Sequence, residues 1–529
     1  MHRRVLRLSH RRGEAFSELD EGHGMRGGAT GRTRRLAAAA LLVLGSSASF
    51  AQSTPEERAR AERVAAEGAV IGSAGGAGRD PQTSVAQPMF SASRSTEVTT
   101  SVQAVLGAAG DPGGYRAFLA DRGIVFDVIY FAEAFNIARG GMRRGTATLG
   151  MLDIDLDLDL EKLTGWKGGA IRTTFYQPSG RGASRSYVGN LLTVSDIEAI
   201  SSTRLNEVWF EQRLFDDRFA FKIGQLATDS EYMVSQTAVL FANGTFGWPA
   251  ILGTALRGGG PAYPLAIPGA RVKLVPNDNL SFQAGLYDGD PGGPDRLRRQ
   301  PDPQKRNLAG TRLPLSDPGL LIGEVSYAYN IHPGAQGEPG TVTFGGWYQL
   351  GRVDALARDG DGRSLADPAS SGVARRLSGN GGLYGLVDQT IYREPDDPND
   401  GASVFVRAGG APSDRNLIDL YVDTGIAYRG FFAGRSDDTM GLAVGLARIS
   451  PDARRRDALA SAYGTPTPRR SGEAVIEATY QAVLAPGMAL QPTIQYVFKP
   501  GGSIANPRDP DGSRIRNAAI FGLRATVRY

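Results

Sequence analysis

The chain of 529 residues contains no cysteine and only four histidines. Without cysteine there are no disulfides and no thiolate metal sites, which suits an oxidising compartment where stray thiols would mispair. Three histidines, His2, His10 and His23, lie in a leader described below, which leaves only His332, next to Pro333-Gly334. Hydrolases usually pair a nucleophile with a histidine base, and a lone histidine in a turn-like setting argues against such an enzyme. Long apolar runs are also missing. No window in the body of the chain holds 18 consecutive apolar residues, so membrane-crossing helices are not expected. An excess of one charge is missing too, with 59 basic against 55 acidic residues, and no nucleic-acid partner is expected.

What is present is alternation. Leu152 to Leu160 read Leu-Asp-Ile-Asp-Leu-Asp-Leu-Asp-Leu. Successive side chains of a strand point to opposite faces, so one face carries Leu152, Ile154, Leu156, Leu158 and Leu160. The other carries Asp153, Asp155, Asp157 and Asp159. A wall with an apolar face and a carboxylate face fits a boundary between lipid and water, as in a transmembrane β-barrel. The start of this run also mimics a calcium loop. However, Leu158 stands where glycine is needed and Thr164 where glutamate is needed, so no metal is expected.

Residues 1–51 read as an export signal. Arg32, Arg34 and Arg35 precede an apolar core from Leu36 to Leu44, and Ser49-Phe50-Ala51 forms a small-x-small cleavage site. Met25 is the expected start, with residues 1–24 an upstream extension. Residues 52–114, rich in Ala, Gly, Ser, Thr and Arg, read as a flexible periplasmic segment. The run Gly72 to Gly78 lacks the Lys-Ser/Thr of a phosphate loop. The barrel domain is expected over 115–529.

About sixteen alternating segments follow: 124–137, 149–161, 167–177, 205–215, 218–227, 268–276, 279–288, 320–330, 340–351, 382–393, 402–410, 416–430, 438–450, 472–484, 488–499 and 517–529. An even number lets the first strand close on the last. Tight connections such as Asp216-Asp217 and Ala485-Pro486-Gly487 mostly alternate with long ones at 178–204, 228–267, 289–319, 352–381, 451–471 and 500–516. The fold class is therefore all-β, an antiparallel transmembrane barrel with short periplasmic turns and long extracellular loops. The 411–415 connection is short where a long one is due.

Elimination assigns the lumen, because an Arg or Lys facing the bilayer midplane costs about 2–4 kcal/mol. Val208, Phe210 and Leu214 take the lipid side, which puts Glu207, Trp209, Glu211 and Arg213 in the channel. By the same alternation Lys222, Arg271, Asp388, Arg407, Asp423, Glu473, Glu477 and Arg524 point inward. Both signs occur, so the wall is hydrogen-bonding without one dominant field. Trp209 bordered by polar arms suits a sugar, which has an apolar face and a rim of hydroxyls. These residues could equally be mere paving of the wall. The segment 227–268 carries Tyr232, Phe241, Phe246, Trp248 and Tyr263. Connections of this length are usually functional. It folds inward to narrow the bore, packs over the mouth, or meets a neighbouring subunit.

Several blocks, in order, resemble the carbohydrate-selective porin family (OprB-type) of Gram-negative outer membranes, over roughly Gly123 to Tyr529. They include Asn206-Glu207-Val208-Trp209-Phe210-Glu211-Gln212, Gly244-Thr245-Phe246-Gly247-Trp248-Pro249, Pro268-Gly269-Ala270-Arg271 and Gly285-Leu286-Tyr287-Asp288-Gly289-Asp290-Pro291. Tyr392-Arg393-Glu394-Pro395 and Gly409-Gly410-Ala411-Pro412-Ser413-Asp414-Arg415-Asn416 match as well. The C-terminal match runs from Glu477-Ala478-Thr479-Tyr480-Gln481 to Lys499-Pro500-Gly501-Gly502. The resemblance implies a sixteen-stranded pore for passive diffusion of glucose and similar carbohydrates into the periplasm. It implies a constriction of Arg, Glu and aromatic side chains, a role carried to Glu207, Trp209, Glu211, Arg213, Trp248, Arg271 and Asp388. It also makes the terminal Tyr529, at the end of an alternating apolar segment, a handle for the barrel-assembly machinery. Outer-membrane lipid and lipopolysaccharide are the expected surroundings, a homo-oligomer is a possibility, and neither cofactor nor catalysis is expected. A non-selective diffusion porin is the main alternative. A carbohydrate-acting enzyme using two carboxylates is a weaker one, since an open wet channel offers no desolvated site to raise a carboxyl pKa. A plugged transporter would need a larger domain before the barrel.

Overall fold

The computed structural model describes residues 100–529 except 294–299, 333, 396 and 398. The expected signal and most of the expected flexible segment lie outside the described residues. Sixteen strands form one closed antiparallel barrel. They are β1 (Ile124–Gly141), β2 (Gly145–Asp159), β3 (Gly169–Gly180), β4 (Arg204–Leu214), β5 (Phe219–Leu226), β6 (Ile267–Asn277), β7 (Leu280–Tyr287) and β8 (Leu320–Tyr329). The circuit continues through β9 (Gly340–Asp359), β10 (Ala374–Arg393), β11 (Gly401–Gly410), β12 (Ile418–Arg429), β13 (Thr439–Ile449), β14 (Gly472–Ala485), β15 (Met488–Phe498) and β16 (Arg516–Arg528). No described helix is long and apolar enough to cross a membrane.

Every strand pairs with its sequence neighbours, and β1 pairs with β16, so the barrel has no free edge. At this seam Glu133 stands opposite Arg524, and the two form an ion pair at 2.6 Å. The opening alternation behaves as expected. Asp153, Asp155 and Asp157 are buried on the inner face of β2, while Leu156 is exposed on the outer. Asp157 pairs with Arg172 of β3 at 2.5 Å, and Asp155 accepts from the Thr174 hydroxyl at 2.5 Å. Asp159 ends the strand: its carboxylate accepts from the Glu161 and Lys162 N–H groups and caps the short helix Leu160–Thr164. The outer face carries the exposed apolar residues, among them Val208, Phe221 and Ile223, and much of the inner face is buried.

The tight turns follow their chemistry. Asn277 accepts two backbone N–H groups, from Asn279 and Leu280, both at 3.0 Å. Gly487 has a φ of 74°, and a Cβ there would lie 2.1 Å from the Val102 nitrogen. That close approach brings residues 100–122 against the turn: Gly487 N–H donates to Thr100 Oγ1 at 2.9 Å and Val102 N–H to the Arg528 carbonyl at 2.8 Å. Short helices at Gln103–Leu106 and Tyr115–Asp121 follow, and Arg116 lies about equally over the rings of Phe126 and Tyr529, at 4.9 and 5.0 Å.

Two long connections depart from the sequence expectation. The 352–381 segment is largely ribbon, because β9 and β10 run on to Asp359 and from Ala374. Gly351 and Gly379, both at positive φ, sit at an irregularity in the ladder, and this break in period hides the continuation. The ribbon leans on the short 411–415 connection, with Leu356 N–H donating to the Asp414 carbonyl at 2.8 Å. The 451–471 segment holds a helix, Pro451–Ala462, with Ser450 as its cap and proline in its first turn. His332 is exposed, with Nε2 3.3 Å from Asn279 Oδ1.

Candidate functional site

Strand register builds the charged wall. Glu211 of β4 stands opposite Lys222 of β5, which stands opposite Arg271 of β6. The three side chains are therefore side by side on the inner face, and all are buried. Glu231, from the β5–β6 connection, completes the group. It bonds to Lys222 and accepts from Arg271 at 3.0 and 3.1 Å, while Glu211 bonds Arg271 at 2.8 Å. Arg213 bonds the other Glu211 oxygen at 2.9 Å. Burial alone would push the Glu231 carboxyl up. The Arg271 and Lys222 charges overcome this and hold it well below the usual carboxylate range. Trp209 is 4% exposed, with the Lys222 ammonium 4.2 Å from its ring centroid. The ring face that stacking would use is thus covered by a cation of the protein itself.

The 227–266 connection folds inward across the lumen, the first of the three options open in the sequence. Wall side chains hold its backbone in order. Glu207 on β4 accepts from Ala227 N–H at 2.8 Å, Glu324 on β8 from Met233 N–H at 2.5 Å, and Asp388 on β10 from the Ser235 hydroxyl at 2.6 Å and Thr237 N–H at 3.2 Å. Glu477 on β14 accepts from Ala242 and Asn243 at 2.8 and 2.9 Å. Arg407 on β11 donates to the Met233 and Phe246 carbonyls at 2.8 and 2.7 Å. β14 lies eight strands from β6 in a ring of sixteen, so the connection reaches the far wall. The expected rings go inward with it. Tyr232, Phe241 and Phe246 are buried, and Phe241 and Phe246 stand 5.1 Å apart. Trp248 and Tyr263 are half-buried; Trp248 donates to the Gly259 carbonyl at 3.1 Å and Tyr263 to the Ile197 carbonyl at 2.8 Å.

A second inward segment, 181–203, is not evident from sequence. Leu191 and Leu192 donate to Glu473 of β14, Ser195 to Glu133 of β1, and Gln495 of β15 donates to the Val194 carbonyl. It meets the first segment through Gly244 N–H to the Thr193 carbonyl at 2.8 Å and Asp196 N–H to the Ala242 carbonyl at 2.9 Å. Glu198 within it accepts from the Ser184 and Arg185 N–H groups at 2.9 and 3.1 Å, and burial pushes its carboxyl up.

The structure therefore gathers Glu211, Arg213, Lys222 and Arg271 around one charged group beside Trp209. It distributes Glu207, Asp388 and Arg407 along the inward connection as anchors, and sets Trp248 within that connection. Sequence reasoning missed Glu231 and Glu324. A signal for Glu231 was present: Lys222 and Arg271 side by side need a second acid besides Glu211, because a buried unpaired charge is costly. Charges of both signs are paired within the group, so this part of the wall carries no dominant field of one sign.

Comparison with known proteins agrees with the barrel fold. The family described as carbohydrate-selective porin, OprB family, matches residues 143–529. Porin B of Pseudomonas aeruginosa is 24% identical over 432 residues, covering 78% of this chain and 89% of that protein. The putative porin QuiX of Acinetobacter baylyi is 23% identical over 421 residues, covering 74% and 88%. The high-pH structure of Pseudomonas putida OprB superposes with a TM-score of 0.68 at 21% identity, covering 80% of this chain and 98% of that one. Family and fold are those of an outer-membrane channel rather than an enzyme. With its closed sixteen-stranded wall and its match over most of the barrel, the chain belongs to the carbohydrate-selective porin family of the OprB type.

Proposed function

We propose that the protein passes glucose and similar sugars into the periplasm by facilitated diffusion, selecting them by bore size and hydrogen bonding. The observation that carries this reading is the inward connection anchored from β4 round to β14 by carboxylates and by Arg407. A crossing segment fixed at this many points narrows the path through the barrel and sets hydrogen-bonding groups along it. Family membership supports carbohydrate as the cargo class. Glu207, Asp388 and Arg407 act in this reading by setting the position of the connection. Glu211, Lys222, Arg271 and Glu231 act as a neutralised buried patch that ties the start of the connection to the wall without adding a net charge beside the bore. Trp209 positions Lys222, while Arg213 and Trp248, which keep partial exposure, meet the sugar directly.

Planar-bilayer recording tests this. Glucose and related sugars should reduce ion current in a concentration-dependent, saturable way, while a polyol of equal size and different hydroxyl geometry should do so less. Equal effects of all solutes of one size would favour the non-selective pore. Release of nitrophenol from a nitrophenyl sugar by the purified barrel would favour the enzyme.

A further inference from the structure

The long-loop end of the seam, where β1 closes on β16, carries six exposed cations: Arg139, Arg144, Lys499, Arg508, Arg514 and Arg516. Arg139 stands opposite Ala519, and Arg516 opposite Gly141, at the same end of the β1–β16 ladder. Lys499 N–H donates to Asn517 Oδ1 at 2.9 Å. The 504–515 segment is tied to the β1–β2 turn by Asn506 Nδ2 donating to the Met142 carbonyl at 3.1 Å, and Arg514 bridges to Ala505.

None of the six forms an ion pair with a described residue. Elsewhere on the rim exposed arginines have acids: Arg448 pairs with Asp419 at 2.8 Å and Arg376 with Asp354 at 3.0 Å. The acids in the seam segment are Asp509 and Asp511. Asp509 is occupied by the Ser513 hydroxyl and by Asp511 N–H at 3.0 Å, and of the six cations Arg516 acts on it through its charge, beyond ion-pair distance. Beside the cations, the outer face turns apolar at once. Phe498, Ile494 and Phe521 project from β15 and β16 with 37%, 55% and 51% exposure. The surface thus passes from an acyl-chain face to a cation cluster within a few residues along two adjacent strands.

We infer that this seam is a docking surface for the phosphate-bearing headgroup of an outer-leaflet glycolipid, with its acyl chains lying on the Ile494–Phe498–Phe521 face. Arginine matches phosphate with forked hydrogen bonds, and each cation near an anionic membrane surface is worth about 1 kcal/mol, roughly fivefold in affinity. The lipid is held from two sides, by charge at the headgroup and by apolar area along the chains, which a free phosphate would not be. The inference is independent of the cargo in the bore.

The test is native mass spectrometry and detergent-exchange binding with bisphosphorylated lipid A and its dephosphorylated form. The variant R139Q/R144Q/R514Q/R516Q should bind bisphosphorylated lipid A at least tenfold more weakly than the parent, yet still run as a heat-modifiable folded barrel. The control R455Q/R469Q, which removes two exposed arginines from the 451–471 segment, should bind like the parent. Inorganic phosphate at millimolar concentration should not displace the lipid. Equal binding of dephosphorylated lipid A, equal loss in the control, or unchanged binding in the quadruple variant would each overturn the assignment. If the quadruple variant does not fold, the pair R508Q/R514Q, both in the loop, carries the same comparison.

Discussion

Arg407 and Asp423 face each other across β11 and β12, and both are fully buried inside the barrel. Asp423 occupies two guanidinium nitrogens, and the other donors reach past it to the Met233 and Phe246 carbonyls of the crossing connection. Tyr421 donates to the same carboxylate at 2.9 Å. One ion pair therefore joins the wall to the segment that crosses the lumen.

Arg407→Leu should release that segment while leaving the barrel closed. Breaking one side of a buried pair costs about 3–5 kcal/mol, and the loss falls on the connection because the strand ladder does not depend on it. The expected outcome is a larger single-channel conductance and proteolytic nicking within 227–266, with heat-modifiability retained. Conductance equal to the parent would show that the pair does not hold the segment.

Glu231→Gln should change ion selectivity. The substitution leaves Lys222 and Arg271 facing Glu211 alone, so the patch gains about one positive charge. Reversal potential under a salt gradient should move toward anion preference, more strongly at low ionic strength, where screening is weaker. An unchanged reversal potential would place the patch away from the ion path.

Trp209→Ala should weaken sugar block of the ion current without loss of folding. The indole is the surface on which the Lys222 ammonium rests. Removing it costs a cation–π contact of about 1–2 kcal/mol and lets Lys222 move. Titration of current block with glucose measures this, and a block constant equal to the parent would count against the residue.

Two loop carboxylates should give pH dependences of opposite sign. Glu231 is held low in the folded protein, so its stabilisation is present above the unfolded carboxyl value of about 4.3. It is lost only as pH falls through the depressed folded value. Glu198 is pushed up by burial, so its contribution is complete below about 4.3 and is lost as pH rises through its folded value. Limited proteolysis of variant against parent reads each group by itself. Glu231→Gln should make the 227–266 segment easier to cut at pH 7 than in the parent, with a smaller effect as pH falls toward 4. Glu198→Gln should make the 181–203 segment harder to cut at pH 7 relative to the parent, with little effect at pH 4. Effects of the same sign in the two variants at pH 7 would refute the assignment.

The amino-acid sequence alone determined the wall. Alternation such as Leu152 to Asp159, with short and long connections between segments, assigned the sixteen strands and their two faces. The physical reason is local: in a strand each residue's side is set by parity, and lipid tolerates no unpaired charge. Parity failed where glycines at positive φ interrupted it, at Gly351 and Gly379, and the extended ribbon went unread. Tertiary structure alone decided what the inward charges do. Glu477 meets Ala242 and Asn243, more than two hundred residues earlier in the chain, and Glu231, from a connection, completes a group begun on three strands. Those contacts exist only once the barrel has closed and the connections have turned into it, because hydrogen bonds between distant segments leave no period in the sequence.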